Sequence, residues 1–181
     1  VVALKSTSTE FFRDAGNSPG SPLERVEGQH LDVGCYNGRT VQSIDGVLLW
    51  VSNTESGLRS VYSMERLRAT EIATPAVRRA LESLAPTYAI SFSLSGHSFY
   101  VVTDPTAGVS LVYDLSSKLW YYWNALGSTY FPFTAATYVE GETRLQHESN
   151  GKIYVFDLNA VDDAGSAIVM DIFPPQFDAN T

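Results

Sequence analysis

The chain has 181 residues, 44% hydrophobic and 18% charged, with 12 Lys+Arg against 20 Asp+Glu for a formal net charge of −8. That length and apolar content support a folded core and exclude a disordered chain, and no run of about 18 apolar residues is present to cross a membrane as a helix. The acidic balance argues against sequence-reading DNA binding, and a single cysteine, Cys35, excludes a disulfide framework or a cysteine-cluster metal site within one chain.

Residues 1–39 begin without Met and without a basic segment and cleavage site, so no signal peptide is read there and a processed or partial product is the expectation. Their Gly/Pro/Ser-rich stretch DAGNSPGSP reads as a loop, and the segment as the end of one repeating unit leading into the next. Residues 40–74 read as four strands: TVQSID, GVLLWVS, LRSVYSM and RATEIAT. Residues 75–86 read as the one helix, with Thr74 as N-cap, Pro75 at the first helical position and Val77, Ala80, Leu81 and Leu84 on one face. Strands resume over 87–124 with TYAISFSLS, HSFYVVT, VSLVYDL and LWYYWN, and over 125–174 with FTAATYVE, TRLQHE, KIYVFDL and AIVMDIF, leaving 175–181 as the start of a further element.

Two glycine landmarks recur three times. Gly46, Gly96 and Gly151 each follow a turn former and lead into an aromatic-Val pair; Gly57, Gly108 and Gly165 each open Gly-x-x-x-Val-[Tyr/Met]. Glycine suits the positive φ of tight hairpin turns. The second set is spaced by 51 and 57 residues. Units of about 45–55 residues, each strand, turn, strand, loop, strand, indicate an all-β chain of β-propeller blades with one short inter-blade helix. A blade cannot bury both faces alone and must stack on others. Three and a half blades do not close a ring, since known propellers need at least about four.

The order of motifs carries a resemblance. DGVLLWVSNTESGLRSVYSM, the Ile72-Ala73-Thr74 that precedes the helix, Gly96-His97-Ser98-Phe99-Tyr100, Tyr113-Asp114 with Trp120, and NGKIYVFDL together resemble the tail nozzle and packaged-DNA stabilisation (tail hub) proteins of short-tailed bacteriophages, over most of residues 8–160. In that family an Ile-Ser-Thr precedes the helix; here Ala73 replaces the serine. The resemblance implies a propeller of about six blades in a virion structural protein of the tail or head-to-tail connector. It implies copies of the chain in a ring, commonly hexameric, beneath the portal and its adaptor, retaining the packaged genome and conducting it at ejection. Genomic DNA would pass the ring non-specifically, and no cofactor, small-molecule substrate or membrane span is implied. An acidic wall fits, because it repels the phosphate backbone.

Candidate chemistry is sparse. His30, His97 and His147 are single and far apart, with no metal-ligand spacing. Cys35 sits in an apolar stretch without a neighbouring histidine to activate it. Asn53-Thr54-Glu55-Ser56-Gly57 matches the sialidase-type turn loosely, lacking its serine, aspartate and aromatic, and a glycosidase would need paired carboxylates facing one pocket. The expectation is therefore no enzyme, with no catalytic, cofactor-binding or metal-binding residue. Arg59, Arg66, Arg68, Arg78 and Arg79 hold five of the twelve basic residues in one stretch, and residues 131–181 hold two basic against eight acidic, so two oppositely charged faces are expected. Arg66, Arg68, Arg78 and Arg79 are candidate subunit contacts. Trp120, Tyr121, Tyr122 and Trp123 are either packing between blades or a binding platform; the second alternative makes the chain a kelch-like or lectin-like propeller that recognises a protein or glycan.

Overall fold

Runs of β-branched and aromatic residues separated by positive-φ turns divide the chain into consecutive antiparallel sheets. The structure is a computed structural model, and residues 1–16, 19–157, 159–163 and 165–167 are described. The first sheet contains β1 (Val2–Leu4), β2 (Thr9–Asp14) and β3 (Leu23–Leu31). The second contains β4 (Gly34–Cys35), β5 (Gln42–Ile44), β6 (Val47–Asn53), β7 (Arg59–Glu65) and β8 (Arg68–Glu71), with β4 and β5 both paired to β6. Helix α1 (Pro75–Ser83) leads to the third sheet, β9 (Tyr88–Leu94), β10 (His97–Asp104), β11 (Val109–Asp114) and β12 (Leu119–Tyr122), which lie side by side in chain order. The fourth contains β13 (Phe133–Val139), β14 (Glu142–His147) and β15 (Ile153–Val155), and a small hairpin pairs β16 (Asp162–Asp163) with β17 (Ser166–Ala167). The strand expected over 167–173 and the element expected over 175–181 lie almost wholly outside the described residues.

Successive residues of a strand face opposite sides, and here both sides are apolar. On β6, Trp50 faces the first sheet, packing with Phe11 and Met64. Leu49 and Val51 face the other way, joining Val61, the helix residues Val77 and Leu81, and Tyr100, Val102, Leu111 and Tyr113 of the third sheet. On that sheet Val101 and Val112 turn to the far face and pack with Phe131, Phe133 and Leu145. The first four sheets are thus a face-to-face stack with three apolar junctions. Sheets buried on both faces cannot be stable alone, which is why the stack holds as a unit.

Side chains also bridge the sheets through main-chain atoms. Gln42 donates to Ala89 O (2.7 Å), Tyr100 OH to Thr40 O (2.7 Å), Trp120 Nε1 to Ile72 O (2.9 Å) and Thr143 Oγ1 to Ser93 O (2.8 Å). These caps satisfy carbonyls that the apolar junctions would otherwise strand without water.

Helix α1 begins as the sequence predicts, with Thr74 Oγ1 accepting from Val77 N at 3.3 Å. It stops at Ser83 rather than 86. Leu84 turns extended (φ −83°, ψ 144°) and is buried in the core, and the residue before Pro86 is disfavoured as helix. The Arg59 guanidinium donates to Leu84 O and, at 3.4 Å, to Glu82 O, covering the free carbonyls at the helix end.

The third glycine pair falls differently from the sequence reading. Asp45-Gly46 and Ser95-Gly96, all at positive φ, join the first hairpins of the second and third sheets. In the fourth sheet that place is taken by Glu140-Gly141 (φ 54° and 87°) between β13 and β14. Gly151 lies between β14 and β15, where Gly57 and Gly108 lie in the sheets before it, and Gly165 belongs to the β16–β17 hairpin. The aromatic-Val pair Tyr154-Val155 misled because it follows either kind of turn.

Candidate assembly surface

The five clustered arginines are divided between the β7–β8 hairpin and helix α1. Arg59 is spent on the helix end, its guanidinium 4.7 Å from the Tyr36 ring centre. Arg78, on the helix, reaches Glu71 at 3.3 Å, and Glu71 also accepts from Ser60 Oγ. Arg79 is exposed on the same helix. Arg66 and Arg68 flank the tip of the β7–β8 hairpin. Arg66 is 91% exposed, with Glu65 at 3.9 Å. The candidate contacts therefore form two groups, Arg78 with Arg79 and Arg66 with Arg68, on different elements.

The aromatic run at β12 and the residue after it divides into packed tryptophans and exposed tyrosines. Trp120 packs against Tyr113 (ring centres 5.0 Å apart), and Trp123 against Phe99 and Phe131 (4.9 and 5.6 Å). Tyr121 and Tyr122 are exposed, Tyr122 by 69%. Both tryptophans thus belong to the packing alternative.

A groove of about 520 Å³ lies between β5, β9 and β13, strands of three successive sheets. Ile44, Phe92, Leu94, Ala136 and Tyr138 supply its apolar wall, and serine and threonine hydroxyls the rest. None of its lining residues is charged.

The titratable groups are mostly structural. Asp114 is buried at the β11–β12 turn and accepts from Ser116 N (2.8 Å), Ser117 Oγ (2.7 Å) and His97 Nδ1 (2.7 Å). Burial pushes its carboxyl up, but those hydrogen bonds outweigh it and hold the carboxyl at about 2. The anion is thus favoured by folding: against an ordinary value of 3.8, its contribution is complete above about pH 4 and drains away as the pH falls towards 2. Asp114→Asn should cost about 2 kcal/mol at pH 7. It should also flatten the stability profile between pH 4 and 2, read by urea unfolding at each pH; an unchanged acid limb would refute the assignment.

Glu148 accepts from Tyr88 OH (3.1 Å) and from Tyr130 OH, tying the third sheet to the fourth. Burial and then Glu148 hold the Tyr88 phenol well above its ordinary range, and the Glu148 hydrogen bond with burial pushes Tyr130 up to about 12, so both stay protonated donors at neutral pH. Burial likewise pushes the Cys35 thiol up, away from reactive thiolate. His30 lies 3.6 Å from Asp32, and His147 Nδ1 accepts from Ser149 N at 3.2 Å. The three histidines make separate contacts, and among the described residues no group of three or more His, Cys, Asp or Glu is arranged to hold a metal ion. No helix among them is long and apolar enough to cross a membrane.

Sequence reasoning missed Asp114 and Glu148. Asp114 was detectable, because Asp followed by Ser at the second and third positions beyond it is an Asx-turn pattern. Glu148 was not, since its tyrosines are 60 and 18 residues away.

A family model described as Phage_stabilise, "Bacteriophage P22 Gp10, beta-propeller", matches residues 1–161. The chain belongs to this family. The sheets of the phage-stabilisation chain are accordingly blades of a β-propeller, and their stacking through both faces is the packing that such a fold requires. The chain is a bacteriophage structural protein of the stabilisation type, a component of the virion. No curated protein matches it.

Proposed function

We propose that the chain is a building block of the nozzle or stabilisation ring in the tail or head-to-tail connector, where copies of it, six in the arrangement the family suggests, help retain the packaged genome and conduct it at ejection. The family match over residues 1–161 carries this reading. In it, segments 40–74, 87–124 and 125–174 are successive blades, 1–39 completes a preceding one and 75–86 links two of them. Arg66, Arg68, Arg78 and Arg79 contact neighbouring subunits, and the portal, adaptor or other tail proteins are the remaining partners. The work is mechanical: stacked sheets hold their turns rigidly against neighbours, and no bond is made or broken.

Charge supports the role for DNA. A chain with net charge −8 repels phosphate, so DNA can pass without being held. Particles assembled without this protein should package DNA and then lose it to added nuclease, while complete particles protect it. Protection that is equal in both would refute the retention role. For glycan recognition that aromatic stretch leaves Tyr121 and Tyr122, because Trp120 and Trp123 are engaged in packing.

A further inference from the structure

Four two-residue turns join adjacent strands within the second, third and fourth sheets: 45–46, 66–67, 95–96 and 140–141. Three have glycine at the second position. The fourth has Arg66 at φ 48° and Leu67 at φ 64°. That region disfavours any residue with a Cβ, and a leucine there is an outlier. Among the described residues no contact rewards it: Leu67 is 54% exposed, and Arg66, its side chain 91% exposed, has its neighbour Glu65 at 3.9 Å. The strained tip presents one apolar side chain between two cations, all directed outward.

A surface of complementary character exists on the same chain. The groove between β5, β9 and β13 has the apolar wall described above, and Tyr138 on its edge is 71% exposed. Asp45, Glu140 and Glu142 stand within two residues of its lining residues Ile44, Tyr138 and Thr143; Asp45 accepts from Ser98 Oγ, and Arg144 neutralises part of the charge at 3.3 Å from each glutamate. Its volume of about 520 Å³ is ample for a leucine with the stems of its flanking arginines. This tip lies away from the groove of its own chain. The tip joins β7 to β8 at one edge of the second sheet, and β5 lies at the opposite edge, with β6 and β7 between.

We propose that the Arg66–Leu67 turn inserts into this groove on a second copy of the chain, Leu67 against its apolar wall and Arg66 and Arg68 towards Asp45, Glu140 and Glu142. Tip and groove are different patches, so a copy that gives its tip to one neighbour takes the tip of another, the arrangement that propagates around a ring. The inference rests on the ring reading above and names the contact within it.

The test is the size of the full chain by light scattering over a concentration series. The double variant Arg66→Asn with Leu67→Gly removes the knob while giving the turn the residues it prefers. Tyr138→Asp spoils the groove at an exposed position. Wild type should assemble, and its assembly should weaken as salt rises. Each variant alone should stay monomeric, with the turn variant melting at or above wild type, so that misfolding is not the cause. An equimolar mixture should give a dimer and nothing larger, since each variant keeps the half that the other lacks. If both variants assemble like wild type, this contact is wrong and the ring reading stands. A mixture that stays monomeric also overturns the contact. If wild type is monomeric at every concentration, the ring reading fails and this contact with it.

Discussion

Replacing Gly34 by alanine should separate the first sheet from the second and cost about 3 kcal/mol or more, a large share of the stability of a domain this size. A Cβ at Gly34 would lie 2.3 Å from Thr7 N, 2.4 Å from the Ser6 carbonyl carbon and 2.5 Å from Lys5 O. All three are main-chain atoms, so no rotamer change relieves the overlap. The approach is close because Cys35 N donates to Lys5 O at 2.7 Å, Trp50 Nε1 to Gly34 O at 3.1 Å and Thr9 Oγ1 to Val33 O at 2.7 Å. Moving the backbone to admit a methyl group loosens all three, two of them at fully buried side chains. Denaturant unfolding followed by tryptophan fluorescence measures the loss. A variant within about 0.5 kcal/mol of wild type, the range of an ordinary surface substitution, would show that the approach is not needed.

Phe131→Ala should release the fourth sheet from the third at a cost of about 3–5 kcal/mol. Phe131 is 6% exposed and its ring touches four others: Phe133 at 4.6 Å, Trp123 at 5.6 Å, and Phe92 and Phe156 at 6.4 Å. Its main-chain N–H is held by Ser110 Oγ at 3.0 Å. The cavity left by the ring opens the junction itself rather than the interior of either sheet. Hydrogen exchange should therefore quicken in β13, β14 and β15 and stay slow in β6, β7 and β10. Phe131→Leu, which keeps most of the volume, should cost under about 1.5 kcal/mol. Uniformly faster exchange across all the sheets would show that the junctions do not open separately.

The strands were legible wherever a run of β-branched and aromatic residues met a turn glycine. VLLWV and SFYVV each became strands with both faces buried, and the hairpins at Gly46 and Gly96 fell where turn chemistry placed them. Two kinds of feature escaped. A turn without glycine, such as Arg66-Leu67, carries no local signature, because side chains and not backbone preference occupy the positive-φ positions. Contacts between sheets are set by residues far apart in the chain, so the approach of Gly34 to Lys5–Thr7 and the Tyr88–Glu148–Tyr130 cluster had no spacing to read. The arginine stretch is divided as its elements dictate, Arg59, Arg66 and Arg68 lying on or at the tip of the β7–β8 hairpin and Arg78 and Arg79 on the helix.

Among the described residues the sheets share no main-chain ladder. Between them run single side-chain locks, Gln42 on Ala89 and Thr143 on Ser93 among them, laid over greasy seams. Force applied along such a body would not unzip it bond by bond. Each seam would hold as a whole until its few locks sheared together, so a single molecule pulled from its two ends should lengthen in discrete steps, one for each sheet set free.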